Sequence, residues 1–190
     1  MTDGELIRGF RQGDGRSFEI LYERYRKPLY SYLNHLLRGR GQVADDIYQQ
    51  AWMRILDRLH TYREQQRFLA WAFRIAHNLA MDHFRRSQRR QALESEVCEP
   101  REFKARPDAE AENRELREAL AAALARLPVE QREVFLLRQQ EIAFKDIARI
   151  QRTGINTALG RMRYAINNLR QLLAEYGYGQ SAGVAEGEMK

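Results

Sequence analysis

Residues 68–90, FLAWAFRIAHNLAMDHFRRSQRR, form the stretch that decides the fold. At about 100° per residue, a helix drawn through this stretch separates two faces. One face is largely apolar and consists of Phe68, Ala72, Ile75, Ala76, Leu79 and His83. The opposite face is widened at its end by two more arginines and consists of Arg74, Asn78, Met81, Arg85, Arg86, Arg89 and Arg90. The stretch therefore predicts one amphipathic helix that packs on a core and presents arginine on its other side.

The basic face of this helix differs from an ordinary solvated face. A run of charged residues is usually solvated and mixes both signs. Here Asp82 is the only acidic residue, against five arginines. Arginines beside aromatic side chains suit contact with phosphate and stacking on bases. The composition therefore favours contact with nucleic acid over a merely solvated surface.

The charges along the chain fall into blocks of alternating sign. Residues 1–90 carry 17 Lys plus Arg against 10 Asp plus Glu, residues 91–125 carry 5 against 9, and residues 126–175 carry 9 against 5. Two basic blocks divided by an acidic one are expected of a chain that binds a polyanion at two places, although solubility alone also tolerates them. A chain of 190 residues can form one large domain or two small ones, and this distribution favours two.

Apolar residues in the first 90 positions recur every three or four residues, which is the period of a helix. One such face runs from Phe18 to Leu36 and is interrupted only by Pro28. Gly39 and Gly41 are expected to end it. The first basic block is therefore predicted to be helical.

A second helix is predicted from about Val43 to Leu59, with a buried edge formed by Ile47, Ala51, Ile55 and Leu59. Asp45 and Asp46 are expected in its first turn, where the helix dipole favours acidic side chains. The helix also carries Tyr48 and Trp52 away from its main buried edge. These two side chains either pack against another helix or meet a partner, and the residues alone leave both alternatives open.

Helical periodicity fails in residues 91–113, where Pro100 and Pro107 stand among charged residues. This composition predicts a flexible acidic linker. Residues 176–190 are rich in glycine and small side chains and are predicted to be a disordered tail. Between these two segments, Pro128 is expected to open a helix whose core uses Val134, Leu136 and Leu137.

Residues 142–169 are typical of a helix-turn-helix. Two short amphipathic helices are predicted with a break at Gly154, and Asn156 or Thr157 can cap the second helix. The second helix of such a motif enters the DNA major groove. Its predicted outward side chains are Thr157, Arg161 and Tyr164. A helical hairpin with a small residue at its crossing would show a similar pattern.

The residues together predict an all-α protein of two small helical domains joined by a flexible linker. The predicted domains are residues 1–90 and residues 114–175, the latter with the helix-turn-helix. Cys98 is the single cysteine, so an internal disulfide is excluded and an inert thiol is favoured. No apolar run approaches the roughly eighteen residues of a membrane span, and MTDGELIRGF lacks the features of a secretion signal, so a cytoplasmic location is expected.

An enzyme is not expected. The sequence offers no nucleophile paired with a base, no paired carboxylates supported by a histidine and no phosphate-binding glycine loop. No catalytic residue, metal site or cofactor is therefore predicted.

Four segments in this order resemble the extracytoplasmic-function (ECF) group of bacterial RNA polymerase sigma factors. They are FEILYERYRKPLYSYL at 18–33, ADDIYQQAWMRIL at 44–56, FLAWAFRIAHNLAMDHFRR at 68–86 and LPVEQREVFLLRQQEIAFKDIARI at 127–150. The joint order is more specific than a basic stripe or a helix-turn-helix alone. The resemblance implies a subunit that directs core RNA polymerase to specific promoters and assists promoter melting, without catalysis of its own.

The resemblance also implies partners for the first domain. Asn78 would lie near the pocket for a base flipped out of the single-stranded minus-ten element. The nearby candidates for stacking are Phe68, Trp71, Phe73 and His77, of which Phe68 is expected in the core instead. The promoter backbone around it would contact Arg74, Arg85, Arg86, Arg89 and Arg90. Core RNA polymerase would contact Asp45, Asp46, Gln49, Gln50, Trp52 and Met53.

For the second domain, the resemblance implies that the duplex minus-thirty-five element contacts Arg152, Thr157, Arg161 and Arg163. Family members usually carry glycine where Arg152 stands, and a more basic helix than one offering Leu159 and Gly160, so the turn and the base readout are expected to depart from the pattern. The linker would thread the polymerase toward its RNA exit path, although a solubilising tether is favoured for its individual residues. An anti-sigma factor that covers an exposed Trp52 and Met53 is a further expected partner.

The alternative function is a free-standing transcriptional regulator. Such a protein would use the helix-turn-helix alone, with the first domain as a sensing or dimerising module. The arginine stripe of residues 74–90 discriminates between the two functions, because a sensing domain has no use for it.

Overall fold

The computed structural model describes residues 1–63, 67–93 and 111–178, and all regular secondary structure in these residues is helical. The predicted all-α class is confirmed. The helices are α1 (Asp3–Arg11), α2 (Gly15–Leu36), α3 (Gly41–Leu59), α4 (Phe68–Leu93), α5 (Ala111–Arg126), α6 (Val129–Gln139), α7 (Phe144–Ile150) and α8 (Ile155–Glu175).

Helix α1 was not anticipated by the periodicity argument. Its first turn is a capping box, in which the Thr2 hydroxyl accepts from the Glu5 backbone N–H and the Glu5 carboxylate accepts from the Thr2 backbone N–H. The helix buries Leu6 and Ile7 against α2. The Thr-x-x-Glu spacing was present in the sequence as a start signal.

Helix α2 continues through Pro28 and ends close to the predicted position. Leu37 is its C-cap, and the chain then turns through Arg38 and Gly39, which have φ of 60° and 67°. A positive φ suits glycine, which has no Cβ to clash with the backbone. Gly39 therefore ends the helix as expected, while Gly41 begins the next one.

Helix α3 begins at Gly41, two residues before the predicted Val43. The expectation that Asp45 and Asp46 occupy its first turn is therefore wrong, because the earlier start places them in the second turn. The predicted buried edge of this helix is confirmed, since Ile47, Ala51, Ile55 and Leu59 are all buried.

The predicted linker is too long at both ends. Helix α4 runs to Leu93 and helix α5 starts at Ala111, so residues 91–93 and 111–113 are helical and not part of an irregular segment. The rest of the predicted linker, with Pro100, Pro107 and Cys98, lies outside the described residues, as does most of the predicted tail.

The helix-turn-helix is formed by α7 and α8. Helix α6 precedes it with Pro128 as its N-cap, and Val134, Leu136 and Leu137 are buried as predicted. The expected cap of α8 was wrong: Gly154 is the N-cap residue, and Asn156 and Thr157 already lie inside the helix.

Two bundles, α1–α4 and α5–α8, pack directly on one another. Helix α2 contacts α5 and α6, and helix α4 contacts α7. The buried apolar residues of both bundles form one continuous cluster. Among the described residues, no helix combines the length and apolar character that a membrane crossing requires.

Candidate nucleic-acid interface

The five arginines of the α4 stripe are all exposed, whereas Asn78 is half-buried. The opposite face packs in the core as predicted, with Phe68, Ala72, Ile75, Ala76 and Leu79 buried and His83 half-buried. This arrangement follows from the helical period, because apolar and basic positions alternate along the sequence but separate around the helix axis. The stripe comprises Arg74, Arg85, Arg86, Arg89 and Arg90.

His83 lies at the edge of the stripe. Burial lowers the pKa of His83, and the charges of Arg40, Arg86 and Arg90 lower it further. Its imidazole is therefore neutral at pH 7. Within the described residues its Nε2 is buried without a hydrogen-bond partner, which a neutral ring tolerates better than a charged one.

Arg85 of the stripe forms an ion pair with Asp82 at 2.5 Å. The two residues are three positions apart on α4, and both side chains are substantially exposed. Exposed pairs of this kind contribute little to stability. Arg85 can therefore exchange this partner for a phosphate at small cost.

The aromatic side chains expected to stack on bases are buried. Phe68, Trp71, Phe73 and His77 are 2%, 8%, 0% and 7% exposed. The prediction of Trp71, Phe73 and His77 as stacking candidates is therefore wrong for this conformation. Tyr32 packs on Phe73, and Tyr62 packs on Trp71, with ring centroids 4.9 Å and 4.7 Å apart.

The helix-turn-helix presents three of its four predicted contact residues to solvent. Arg152, Thr157 and Arg163 are exposed, whereas Arg161 is half-buried and donates to Gln151 Oε1 at 2.9 Å. Tyr164 is exposed, as predicted from the helical wheel.

Arg152 adopts a backbone conformation that favours glycine, with φ of 52°. A left-handed backbone brings the Cβ of an L-residue too close to the following carbonyl, at a cost of about 1–2 kcal/mol. The turn is closed by the Thr153 N–H, which donates to the Ala148 carbonyl at 2.9 Å. Arg152 therefore adopts the left-handed conformation itself, and the turn between α7 and α8 is still closed by a backbone hydrogen bond.

The structure brings together predicted contact residues from both bundles. The Arg152 guanidinium donates to Asn78 Oδ1 at 2.9 Å. The residue expected near the flipped base and a residue expected on the duplex element thus bind each other. Their positions are 74 residues apart in the sequence, so no local pattern could reveal the pair.

Five of the six residues predicted to contact polymerase form an exposed surface on α3. Met53 is the most apolar of them and is 67% exposed. The expectation that Trp52 is exposed is wrong, because it is only 7% exposed. The exposed members are Asp45, Asp46, Gln49, Gln50 and Met53.

Trp52 lies in an aromatic cluster between α2 and α3. Its ring centroid lies 4.8 Å from that of Tyr22, 6.1 Å from that of Phe18 and 6.4 Å from that of Tyr48. Of the two alternatives left open for Tyr48 and Trp52, packing by another helix is the one observed. The edge-to-face contacts of Trp52 with Tyr22 and Phe18 join α3 to α2, whereas Tyr48 lies on α3 itself.

Two charged residues missed by the sequence argument lie buried where the bundles meet. Arg132 and Glu133 on α6 are 0% and 1% exposed. Both share a helix face with buried leucines, since Arg132 lies four residues before Leu136 and Glu133 four residues before Leu137. The sequence signal that could have revealed their burial is a charged residue at helical spacing from apolar residues of the core.

Arg132 donates to backbone carbonyls at the ends of two helices. Its partners are the carbonyls of Leu124 at 2.8 Å, Leu127 at 2.8 Å and Ala125 at 3.3 Å in its own bundle, and that of Leu36 at 2.6 Å in the other. Helix C-terminal carbonyls lack partners within the helix and carry partial negative charge. Burial, and then the charge of Arg38, lowers the pKa of Arg132 to about 10, so it remains protonated at pH 7.

Glu133 joins three side chains through its two carboxylate oxygens. The Tyr32 hydroxyl donates to Oε1 at 2.5 Å, and His77 Nδ1 lies 2.6 Å from the same oxygen. Gln151 Nε2 donates to Oε2 at 2.9 Å. Burial, and then the Glu133 charge, raises the pKa of Tyr32 well above its ordinary value, so the hydroxyl keeps its proton.

Comparison with known proteins gives consistent matches. Residues 21–90 match the Sigma-70 region 2 family. The ECF RNA polymerase sigma factor BldN of Streptomyces coelicolor is 30% identical over 176 residues, covering 90% of this chain and 66% of that protein. The ECF RNA polymerase sigma-E factor of Escherichia coli K12 is 27% identical, covering 91% of this chain and 96% of that protein.

Coverage differs among the relatives. This chain spans about two thirds of the length of BldN and of the ECF sigma factor SigX of Bacillus subtilis, for which the shares are 66% and 65%. It spans 96% of the RNA polymerase sigma-H factor of Pseudomonas aeruginosa, which is 27% identical.

Two solved structures share the fold. The sigma factor RpoE of Bartonella quintana, solved in complex with the anti-sigma factor NepR, has a TM-score of 0.74 at 21% identity and covers 84% of this chain and 98% of its own. CnrH, solved with the cytosolic domain of CnrY, has a TM-score of 0.65 at 22% identity and covers 91% of this chain and 97% of its own. From the segment order, the family match over α2–α4 and these relatives, we conclude that the chain belongs to the ECF group of RNA polymerase sigma factors.

Proposed function

We propose that this chain is a promoter-specificity subunit that directs core RNA polymerase to specific promoters and assists their melting. The observation that carries the proposal is the exposed arginine stripe of α4, beside the half-buried amide of Asn78. A free-standing regulator would have no use for this stripe in its first domain. The proposal requires no catalysis by the chain and places it in the cytoplasm, where core polymerase works.

In this proposal the first bundle, α1–α4, has two roles. The exposed side chains of α3 contact core polymerase, with Met53 as the apolar centre of a polar patch. Helix α4 contacts the single-stranded minus-ten element. An anti-sigma factor would cover the α3 patch.

Promoter melting depends on holding the single strand more tightly than the duplex, because unstacking a base costs a few kcal/mol. With Trp71 and Phe73 buried, stacking on these rings does not supply that difference in this conformation. The available groups are the Asn78 amide, which can hydrogen-bond an unpaired base edge, and the arginines, which contact phosphates.

The second bundle, α5–α8, would bind the duplex minus-thirty-five element through α8. Thr157 and Arg163 are exposed there, and Arg161 can turn from Gln151 to a base edge or phosphate. One good contact from arginine to guanine contributes about 1–3 kcal/mol of discrimination. Residues 94–110 would link the two bundles.

The proposal is tested by adding the purified chain to core RNA polymerase with a library of genomic promoter fragments. We expect promoter-dependent transcripts that neither component makes alone. Tight binding to promoter duplex without polymerase, and no initiation with it, would support the free-standing regulator instead.

The variant Asn78→Ala tests the melting site. We expect promoter opening, followed by permanganate reactivity of unpaired thymines, to fall by about tenfold or more while binding to core polymerase is retained. Met53→Ala is the reciprocal control, expected to weaken polymerase binding. Equal loss of opening and of polymerase binding in Asn78→Ala would contradict the assignment.

A further inference from the structure

The outward face of α8 consists of six residues at helical spacing. They recur every three or four positions, so they lie along one side of the helix. Ala158, Ala165 and Leu169 are buried on the opposite side, against the rest of the second bundle. The outward residues are exposed, apart from a half-buried glycine, and comprise Asn156, Leu159, Gly160, Arg163, Tyr164 and Asn167.

Gly160 has no explanation within the fold of the described residues. It lies inside α8, where glycine is less favourable than alanine, and it does not have a positive φ. Apart from its chain neighbours and the backbone of its own turn, nothing in the described residues lies within 4 Å of a Cβ built at this position. An alanine would therefore fit the folded chain. The glycine is explained if something outside the chain approaches the helix closely here.

Leu159 is the apolar side chain next to this bare backbone. It is 43% exposed, although its neighbour Ala158 is fully buried. The side chains one turn away along the same face are polar, with Asn156 before it and Arg163 after it. The face thus combines an aliphatic side chain, an amide and an arginine around a position without a side chain.

This combination favours duplex DNA as the partner. Residues 155–174 carry three arginines and no Asp or Glu, so the helix attracts a polyanion. In the major groove, asparagine pairs with adenine, and an apolar side chain contacts the C5-methyl group of thymine. Residues at the N-terminal end of a recognition helix are those that reach base edges. Asn156 and Leu159 both lie within the first five residues of α8.

We infer that Leu159 determines promoter specificity by packing on the C5-methyl group of a thymine in the upstream element, and that Gly160 lets α8 approach the base edges closely enough for this contact. The inference rests on the proposed function, which assigns the duplex minus-thirty-five element to α8. It adds the bases that α8 prefers: A·T pairs opposite Asn156 and Leu159, since neither side chain matches the edge of guanine as arginine does.

Arg163, the arginine one turn after Leu159 on this face, is assigned to the DNA backbone. Contacts from arginine to phosphate fix the position of a helix on the duplex but carry no sequence information. Replacing Leu159 should therefore change the base preference while leaving the salt dependence of promoter binding as it is.

The test uses holoenzyme assembled from core polymerase and the full chain, on a promoter found in the transcription assay above. The upstream element is randomised, and the templates that are transcribed are sequenced. We expect at least one position to select thymine with the unmodified chain and to lose that preference with Leu159→Ala. At this position, replacing thymidine by deoxyuridine deletes only the methyl group.

The apparent Kd of the holoenzyme is then measured for the thymidine promoter and the deoxyuridine promoter. With the unmodified chain, we expect the Kd to rise about fourfold when the methyl group is absent, which corresponds to one buried methyl group. With Leu159→Ala, the two promoters should bind equally. Leu116→Ala is the matched control, because Leu116 is 41% exposed but lies on α5, and it should keep the difference between the promoters.

Gly160→Ala tests the close approach separately. A methyl group added at a packed contact should raise the Kd for the promoter by about tenfold. Since the folded chain has room for this methyl group and alanine favours a helix, the thermal unfolding temperature should not fall. Gly15→Ala, at the start of α2 with equally open surroundings, is the control and should leave the Kd unchanged.

The inference is overturned if no thymine is selected, if the unmodified chain binds both promoters equally, or if the difference between them survives in Leu159→Ala. A loss of affinity in Leu159→Ala that is the same for both promoters would indicate that Leu159 contacts a protein instead. An unchanged Kd in Gly160→Ala would contradict the close approach. Absence of transcripts with the unmodified chain would overturn the proposed function and this inference with it, whereas transcripts without any effect of thymine would overturn the inference alone.

Discussion

Helix α4 and helix α6 use charge in opposite ways. The α4 stripe holds five exposed arginines, of which Arg85 is paired with Asp82 on the same helix. Helix α6 holds Arg132 and Glu133, both buried and hydrogen-bonded to groups far away in sequence. The first set is available to an outside polyanion, whereas the second is committed to the protein itself.

This difference shows that the role of a charged residue cannot be inferred from its residue type alone. A buried charge must be paired or solvated by protein dipoles, because its unpaired burial costs several kcal/mol. An exposed arginine carries no such requirement and contributes little to stability. Mutations should therefore affect stability at α6 and ligand binding at α4.

The largest expected effect is on stability, in Arg132→Ala. This change leaves buried carbonyls at the ends of α5 and α2 without their donor, so we expect the free energy of unfolding to fall by about 3–5 kcal/mol in denaturant titrations. Arg126→Ala is the matched control, since its ion pair with Glu175 is exposed and should contribute little to stability. Similar losses of unfolding free energy in both variants would contradict the distinction between buried and exposed arginines.

The next effect is on DNA binding, in the triple variant Arg85→Ala, Arg86→Ala, Arg89→Ala. We expect the salt dependence of single-stranded DNA binding, measured as the slope of log Kobs against log salt concentration, to decrease by about 2. Stability should change by no more than about 0.5 kcal/mol per site.

The control for this experiment removes the same charge elsewhere, through Arg16→Ala, Arg54→Ala and Arg58→Ala at exposed positions. If the control lowers the slope as much as the stripe variant does, net charge explains the binding and the stripe has no special role.

A smaller effect is expected from Arg152→Gly. Glycine relieves the left-handed backbone at φ of 52° but deletes the bond to Asn78, so the net change in unfolding free energy should stay below about 1 kcal/mol. Glu141→Gly, at φ of 57°, relieves the same conformation away from the bundle contact. Thermal unfolding of both variants separates the relief of the left-handed backbone from the loss of the bond to Asn78. A smaller gain in stability in Glu141→Gly than in Arg152→Gly would contradict this account.

The smallest effect concerns pH. Burial lowers the pKa of His35 in the folded chain, so its imidazole is held neutral. Below the unfolded pKa of about 6.5, the unfolded chain binds a proton that the folded chain resists, and stability is lost as pH falls. His35→Gln should flatten this slope in denaturant titrations at pH 5 to 7, whereas His60→Gln, at an exposed position, should leave it in place. An unchanged slope in His35→Gln would contradict the assignment.

The sequence was sufficient for α4, because its apolar and basic positions follow the helical period through six turns. The same argument located the buried edge of α3 and the core residues of α6. Helix boundaries were less accurate, since Gly41 begins α3 where a breaker was expected and Gly154 caps α8 in place of the two polar residues that follow it.

The remaining errors share a physical cause. Trp52 is buried because α2 supplies Tyr22 and Phe18 opposite it, and Asn78 is occupied because α7 ends beside it. Arg132 and Glu133 are buried because their partners lie about 100 positions earlier in the chain. Periodicity describes one helix at a time, so it cannot reveal what a distant helix covers.

The bond from Arg132 to Leu36 also orders events on the ribosome. Helices α1–α4 are complete once residue 93 has been made, yet α6, which carries Arg132 and Glu133, is complete only at residue 139, 46 residues later. At 5–20 residues per second, this interval lasts roughly 2–9 s. Throughout it, the nascent first bundle exposes Tyr32 and His77, because the helix that covers them has not yet been completed.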